Sequence, residues 1–290
     1  MSRRIGRLTA VSALALACLV APGSAAVATA CAGENTSTGG AFADGGELSP
    51  AKAEAAQRKL KTGTPRIGQV SIPVHFHVIS DGAKGAVSIQ RLSKQVDVLN
   101  QTFSGTGFAF TAASATSYDR ADLFYDQSLT SPPGAREIAM KKAMRKGGVR
   151  DLNIYTVQTD ESALGWATFP WDYKENPQLD GVILNHDVLP GGAFVGLSTG
   201  KIGTHEVGHW LGLLHTFQGV GCEPPGDYVD DTPAQDTASR GGCPTSQDSC
   251  PSPGDDPIHN HMDYTNDLCR TMFTPGQVTR MQQAWNAFRA

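Results

Sequence analysis

The sequence predicts an α+β fold, in which a mixed twisted sheet with helices is followed by a loop-rich, cysteine-linked segment and a last helix. Three observations predict it. Runs of β-branched and aromatic residues alternate with helical apolar spacing up to about residue 212. Gly, Pro, Asp and Cys then dominate up to about residue 269. A helical pattern returns at Thr274-Pro-Gly-Gln, which has the form of a capping box.

The N-terminus has the composition of a secretory signal peptide. Three arginines precede the apolar run Leu8–Val20, and small residues follow it up to Ala30. The apolar run is shorter than the roughly 20 residues that a membrane-spanning helix needs. We therefore assign residues 1–30 to a signal peptide and predict secretion with no membrane span. Cleavage after Ala25, Ala28 or Ala30 would fit equally well.

Residues 31–67 are polar and have little to bury, which indicates a propeptide or a linker. Ser49-Pro50 begins one short helical pattern within this segment. Cys31 directly follows Ala-Thr-Ala. Cys31 could be a free thiol without a function. It could also carry a lipid anchor, or act as a latency switch in which its thiolate caps a metal.

The size of the chain allows one sizeable folded domain, which we place at residues 68–290 of the 290. Regular patterns fade near residue 212, so an N-terminal subdomain up to about 212 and a C-terminal subdomain over 213–290 are expected. The net charge is −4 and Lys and Arg form no dense cluster. This balance argues against a nucleic-acid partner.

Strand and helix patterns follow one another along the first part of this domain. The predicted strands are Val70–Ile79, Phe108–Thr111, Leu152–Val157 and Asp180–Leu184, with an edge strand over Gly165–Trp171. Three helices are predicted. The first is capped by Ser88 and turns Ile89, Leu92, Val96, Leu99 and Phe103 inward. The second runs from Ser131 to Gly148 with Ile138 and Met144 inward, and the third begins at about Lys201. His75 and His77 share a face of the first strand, where packing in the sheet is favoured over metal binding.

The sequence His205-Glu206-Val207-Gly208-His209 carries the chemistry. Positions i and i+4 of a helix share one face, so His205 and His209 can bind the same ion. Gly212 allows a sharp turn, after which His215 can return as a third ligand. Three protein ligands leave a fourth position open for water and substrate, which is typical of a catalytic zinc rather than a structural one. Glu206 lies beside the ligands, where it can act as general base.

Four cysteines follow this motif, namely Cys222, Cys243, Cys250 and Cys269. In a secreted chain they predict two disulfides, for which three pairings are open. A structural zinc held by the four thiolates is less favoured, because no Cys-x-x-Cys pair is present.

An acidic turn follows the first of these cysteines. Asp227, Asp230, Asp231 and Thr232 place oxygen atoms within reach of a calcium ion, and Asp227, Asp231 and Thr232 are the candidate ligands. The alternative is an ordinary solvated acidic turn.

Further strings resemble the pappalysin family of metzincin zinc metalloproteases, including its secreted, ulilysin-like microbial members. They are Gly203–Phe217 around the histidines, Val229-Asp-Asp-Thr-Pro, Met262-Asp-Tyr and Phe273-Thr-Pro-Gly-Gln. The resemblance covers roughly residue 72 to the C-terminus and implies a metzincin fold.

By position, the resemblance also implies a role for several residues. His205, His209 and His215 would be the zinc ligands and Glu206 the general base. Met262 would form the Met-turn below the metal, and Tyr264 would stabilise the oxyanion. The four cysteines would pair as Cys222–Cys250 and Cys243–Cys269. Leu268 stands where relatives that cut before basic residues carry an acid, with Asp267 one position earlier, so the resemblance does not extend to that specificity.

These observations predict a secreted, monomeric zinc endopeptidase that acts on proteins or peptides, with one catalytic zinc and, as a further ion, structural calcium. A protease with glutamate as third zinc ligand is excluded, because Glu223 is the only later glutamate and lies too close to the helix. Aspartate as third ligand is disfavoured, because His215 occupies that position. A zinc-binding adhesin or an inactive homologue is the alternative from another class, and the presence of Glu206 argues against it.

Overall fold

A computed structural model describes residues 48–60, 67–125, 127–130, 133–160, 163–219 and 221–290. The predicted signal peptide and Cys31 lie outside these residues. The helices are α1 Pro50–Lys59, α2 Ile89–Thr102, α3 Ala121–Phe124, α4 Ala135–Met144, α5 Lys201–Trp210 and α6 Pro275–Phe288. The strands are β1 Val70–Ser80, β2 Phe108–Asp119, β3 Leu152–Val157, β4 Gly165–Ala167 and β5 Val182–Asn185.

The five strands form a single mixed sheet in the order β2-β1-β3-β5-β4. The pairs β1–β2, β1–β3 and β3–β5 are parallel, and β4 is antiparallel to β5 at one edge. β3 and β5 are buried on both faces, as is usual for the inner strands of a parallel sheet, and β3 buries Asn153 and Thr156 along with its apolar residues. The predicted mixed sheet with helices is therefore confirmed.

The main core lies between one face of the sheet and helices α2, α5 and α6. Alternate residues of β1, from Ile72 to Val78, point into it. Trp210 of α5 and Trp285 of α6 meet in the same cluster, with ring centroids 6.3 Å apart. Each fully buried large apolar side chain stabilises the fold by roughly 1.5–3 kcal/mol. Because the cluster contains residues from both sides of position 212, the helix with the histidine motif is packed between the two parts of the domain.

A buried ionic cluster adds to this packing at the end of α5. Asp180 accepts hydrogen bonds from the two terminal guanidinium nitrogens of Arg289, Nη2 at 2.9 Å and Nη1 at 3.1 Å, and from Nε1 of Trp210 at 3.1 Å. The Arg289 guanidinium also lies 3.6 Å above the ring of Trp210. Asp180 and Arg289 are both almost completely buried. The cluster therefore ties the last turn of α5 to the residue that follows α6.

Three predicted elements differ in extent from the structure. β2 extends to Asp119 rather than Thr111, because β1 pairs with it along its whole length up to Ser80. The edge strand ends at Ala167 rather than Trp171, since Pro170 begins a 3-10 turn over Pro170–Asp172. The helix predicted from Ser131 to Gly148 spans Ala135–Met144, and Ser131 itself lies outside the described residues.

Two predicted inward positions also differ. Ile89, the first residue of α2, is 61% exposed. In α4 the buried side is formed by Glu137, Met140, Lys141 and Met144, and Ile138 is only half-buried. Glu137 and Lys141 form a buried ion pair of 2.7 Å, so this helix hides charged residues that its apolar pattern did not reveal.

The C-terminal part of the chain is loop-rich from Gly212 to Thr274, as predicted. Disulfides join Cys222 to Cys250 and Cys243 to Cys269, so the pairing that the resemblance implied is present. α6 begins with the predicted capping box: the Thr274 side chain accepts from the Gln277 backbone, and the Gln277 side chain accepts from the Thr274 backbone. Among the described residues, no helix combines the length and apolar character that crossing a bilayer requires.

Candidate metal centre and active site

α5 is buried along almost its whole length, from Ile202 to Trp210. A polar residue inside such a helix needs partners, because burying an unsatisfied polar group is unfavourable. The helix ends at Trp210, and Gly212 adopts a φ of 99°, a backbone conformation that favours glycine. A side chain at this position would also meet Ala284, 2.7 Å from an ideal Cβ. Gly212 therefore makes the turn that separates His209 from His215.

The three histidines of the motif converge on one point. Nε2 of His209 lies 3.1 Å from Nε2 of His205 and 3.1 Å from Nε2 of His215. All three side chains are buried. Nδ1 of His205 lies 2.7 Å from the carbonyl oxygen of His261, and Nδ1 of His209 lies 2.8 Å from that of Leu213. Because a carbonyl only accepts, these two Nδ1 atoms carry the protons.

Their Nε2 atoms then present lone pairs that point at one another, together with the Nε2 of His215. The lone pairs of His205 and His209, 3.1 Å apart, repel each other unless a cation lies between the rings. Tetrahedral zinc with Zn–N bonds of about 2.05 Å separates its nitrogen ligands by about 3.3 Å. The observed spacing of 3.1 Å is close to that value. The residues therefore fit zinc, and the carbonyl partners of His205 and His209 hold their rings in the orientation that binding requires.

Met262 lies directly below this group. Its Sδ would be 2.6 Å from a Cβ built on Gly208, in the middle of the histidine motif, and Met262 is completely buried. The Asn260 side chain accepts a hydrogen bond from the Met262 backbone and exchanges two amide hydrogen bonds with Gln277. The turn at Met262 is thus fixed to the first turn of α6.

Tyr264 lies beside the third histidine. Its hydroxyl oxygen is 3.2 Å from Nε2 of His215, and its ring packs against His215 and Phe217. The guanidinium of Arg240 lies over the same ring, 5.1 Å from its centroid. The structure therefore places the Tyr264 hydroxyl next to the point where the three Nε2 atoms converge.

Glu206 lies against the edge strand β4. Its Cγ and Oε1 are each 3.1 Å from a Cβ built on Gly165. The same Cβ would lie 3.0 Å from the carbonyl oxygen of Ile183. A side chain at position 165 would therefore press on both Glu206 and the Ile183 carbonyl. Sequence reasoning did not identify Gly165, and a glycine within a strand pattern was the signal that could have found it.

Gly165→Ala is expected to lower peptidase activity by about tenfold or more, because the added methyl group displaces Glu206 and misplacement of a catalytic group is costly. The measurement is kcat/KM with a peptide substrate, together with zinc content. Gly68→Ala is the matched control, since nothing lies within 4 Å of a Cβ at that position. Unchanged kcat/KM in Gly165→Ala would show that Glu206 has room to adjust.

The other histidines of the sheet have partners of their own. His75 contacts the Ser114 hydroxyl at 2.8 Å and Asp151 at 3.1 Å, while His77 contacts the Asn153 side chain at 2.9 Å. Burial lowers the pKa of His77 to about 4, so it is neutral at physiological pH. A second group with metal-binding spacing, Cys243, His259 and Cys269, has both sulfurs in a disulfide.

The acidic turn after Cys222 borders a cavity of about 530 Å³. Asp227 and Thr232 both line it, and burial raises the pKa of Asp227 to about 7. The Asp227 carboxylate accepts a hydrogen bond from the Val229 backbone at 3.0 Å and also interacts with the Thr232 hydroxyl and the Arg280 guanidinium. Asp231 is placed differently: its carboxylate accepts from the Thr274 hydroxyl at 2.6 Å and from the Gly276 backbone at 2.8 Å. The structure thus brings together Asp227 and Thr232 of the three predicted calcium ligands.

Leu268 and its neighbour have opposite environments. Leu268 is 84% exposed. Asp267 is buried, with an ion pair of 2.7 Å to Arg270 and hydrogen bonds from the backbone and hydroxyl of Thr199, both at 2.8 Å. The Asp267 carboxylate therefore connects the loop after Tyr264 to the residues just before α5.

A mixed sheet with an antiparallel edge strand, a buried His-Glu-x-x-His helix, a glycine turn to a third histidine and a methionine below them define a metzincin metalloprotease. Residues 150–286 match the family model described as pregnancy-associated plasma protein-A. The chain belongs to this family, the pappalysins, and is a metalloendopeptidase.

Two relatives that match most of the chain are extracellular metalloproteases. An extracellular metalloprotease of Arthroderma benhamiae is 43% identical over 226 residues, which cover 76% of this chain and 74% of the relative. An extracellular metalloprotease of Neurospora crassa is 41% identical over 251 residues, which cover 84% of each chain.

Solved structures of mirolysin are similar as well. Mature mirolysin of Tannerella forsythia in complex with a cleaved peptide gives a TM-score of 0.62 at 26% identity, covering 75% of this chain and 91% of that one. Mirolysin with a bound compound gives a TM-score of 0.65 at 25% identity, covering 77% and 94%. The metzincin fold predicted from the sequence is thereby confirmed.

Proposed function

We propose that the protein is a secreted zinc endopeptidase in which His205, His209 and His215 hold the metal and Glu206 is the general base. The observation that carries the proposal is the convergence of three histidine Nε2 atoms beside a buried glutamate, next to an edge strand. Secretion rests on the signal-like N-terminus and on relatives named as extracellular metalloproteases.

When bound, zinc would lower the pKa of a water molecule toward neutrality and polarise the scissile carbonyl. The side chains of the protein supply the remaining steps. Glu206 accepts the proton of the attacking water and later delivers it to the leaving amine. The Tyr264 hydroxyl donates a hydrogen bond to the oxygen on which negative charge develops. Met262 fills the space below the histidines and keeps water out of it.

β4 is the element that holds the substrate. It is the last strand of the sheet and pairs only with β5 among the described strands, so its outer backbone groups can pair with an extended peptide. Main-chain hydrogen bonds of this kind bind many sequences, which suits a protease that acts on proteins and peptides as a monomer.

Preference for Arg or Lys next to the cleaved bond is not part of this proposal. The Asp267 carboxylate already has Arg270 and Thr199 as partners, and the neighbouring Leu268 offers an exposed apolar side chain instead of an acid. A buried carboxylate with three partners has little capacity left for a cationic substrate side chain.

Metal removal tests the function. Treating the purified protein with a zinc chelator is expected to abolish casein hydrolysis, because Glu206 alone cannot activate water sufficiently. Adding one equivalent of zinc is expected to restore it, and elemental analysis should find one zinc per chain. Casein hydrolysis that persists in metal-free protein would contradict the proposal.

We further propose that the cavity beside Asp227 binds a structural calcium ion. Asp227 and Thr232 offer oxygen donors of the kind that calcium prefers, and both line the cavity. Burial raises the pKa of the Asp227 carboxyl to about 7, although the Val229 backbone and the Arg280 guanidinium both stabilise its charged form. The Asp231 carboxylate caps α6, and we leave it out of the ligand set.

Calcium is expected to raise the melting temperature by several degrees, because an ion that binds only the folded state stabilises it. Thermal unfolding with and without calcium measures this shift. In Asp227→Asn the shift should disappear, whereas it should remain in Asp248→Asn, because Asp248 is exposed and does not line the cavity. An equal shift in both variants would place the ion elsewhere.

A further inference from the structure

α1 is packed on the domain, although the sequence places it in a propeptide or linker. Its inner face consists of Ala53 and Ala56, which are 3% and 2% exposed, and Leu60, which follows the helix, is 7% exposed. The small side chains allow the helix to lie directly on the rings of Phe169 and Trp171. The other residues of this cluster are Leu48, Leu214, Tyr228 and Phe288.

Two hydrogen bonds fix α1 at its two ends. The Gln218 side chain donates to the backbone carbonyl of Leu48 at 3.2 Å, just before the helix. Arg280 of α6 donates to the side chain of Gln57, which lies in the last turn of α1, at 2.6 Å. A segment that served only as a linker would need neither a buried face nor these partners.

Arg280 connects α1 to the metal centre. The same guanidinium donates from Nε to the backbone carbonyl of Gly212 at 2.9 Å, at the turn between His209 and His215. Its charge is opposed by Asp227, and it lies 5.8 Å from the centroid of the Tyr228 ring. Burial lowers the pKa of Arg280 to about 10, so the side chain is still charged at neutral pH.

The apolar contacts of α1 also lead to the metal ligands. Phe169 lies under α1 and packs edge-on against the His209 ring, with centroids 5.3 Å apart. Leu214, which belongs to the same cluster, immediately precedes His215. α1 thus touches the neighbours of two metal ligands through both a polar and an apolar route.

We propose that α1 is a permanent part of the active protease and that Arg280 is a positioning residue, through which α1 holds the turn that presents His215. The proposal rests on the proposed metalloprotease site. It moves the start of the functional domain from about residue 68 to residue 48 or earlier, so that maturation removes residues N-terminal to α1 only.

The experiment compares full-length variants after zinc is exchanged for cobalt, whose visible absorption spectrum reports coordination geometry. Ala56→Glu places a charged side chain on the buried face of α1, and Arg280→Lys keeps the charge but loses the fork of donors. Arg58→Ala is the control, because Arg58 pairs with Glu54 on the exposed face, where its side chain is 70% exposed. The N-terminus of the active secreted form is determined by mass spectrometry.

Ala56→Glu and Arg280→Lys are expected to alter the cobalt spectrum and to lower kcat/KM by about ten- to a hundredfold, while Arg58→Ala changes neither. The active form should begin at or before Leu48. An active form that begins after Leu60, or an unchanged spectrum in Ala56→Glu, would overturn the proposal. Absent peptidase activity in the unaltered chain would instead count against the proposed function, and the cobalt spectra would still decide the role of α1.

Discussion

Replacing Glu206 with glutamine is expected to lower the kcat of casein hydrolysis by about 10²- to 10⁴-fold, the usual contribution of a general base. Glutamine has the shape of glutamate, so it fits against Gly165 and leaves the contact with β4 intact. It cannot accept the proton of water. The measurement is peptidase activity beside zinc content, with one zinc expected in both proteins.

Glu175→Gln is the matched control, because Glu175 is exposed. It should behave as the unaltered chain does. Full activity in Glu206→Gln would remove Glu206 from the mechanism. Loss of zinc in Glu206→Gln would mean that the substitution disturbs the three histidines, in which case the activity loss could not be assigned to the base.

Replacing Asp180 with alanine is expected to lower the free energy of unfolding by about 3–5 kcal/mol, which is typical when one partner of a buried ion pair is removed. Arg289 would be left buried without its carboxylate, and Nε1 of Trp210 would lose its acceptor. Because Trp210 ends α5, zinc affinity should fall as well. Urea unfolding at equilibrium gives the free energy, and competition with a chelator gives the affinity.

The exposed pair of Arg120 and Asp122 provides the comparison, since both side chains are at least half exposed. Asp122→Ala should leave the unfolding midpoint unchanged, because surface ion pairs contribute little. If Asp180→Ala lowered stability by less than about 1 kcal/mol, the cluster would add little beyond packing.

The sequence was sufficient for the parts of the molecule that local rules determine. The helix over Lys201–Trp210 follows from the histidine spacing, and the start of α6 follows from the capping box at Thr274. β3 was predicted with its observed bounds, Leu152–Val157, because Ile, Tyr, Thr and Val all favour strands. In each case the signal lies within a few neighbouring residues.

The rest depends on contacts between distant residues. The length of β2 is set by β1, which supplies its hydrogen-bond partners, and the Ala, Ser and Thr residues of β2 gave only a weak strand pattern. Asp180 and Arg289 are 109 positions apart, and Gly165 and Glu206 are 41 apart. The docking of α1 could not be foreseen because its buried face consists mainly of alanine, which is equally common on exposed helices.

The packing of α5 between the two parts of the chain has a consequence for biosynthesis. A nascent chain that ends just after His215 already contains the three histidines and Glu206. It still lacks the carbonyl of His261, the side chain of Met262 and the hydroxyl of Tyr264, which complete their surroundings. We therefore expect a nascent chain to gain peptidase activity only after residues up to Tyr264 have been synthesised and folded, so that shorter chains are inactive in the cell that makes them.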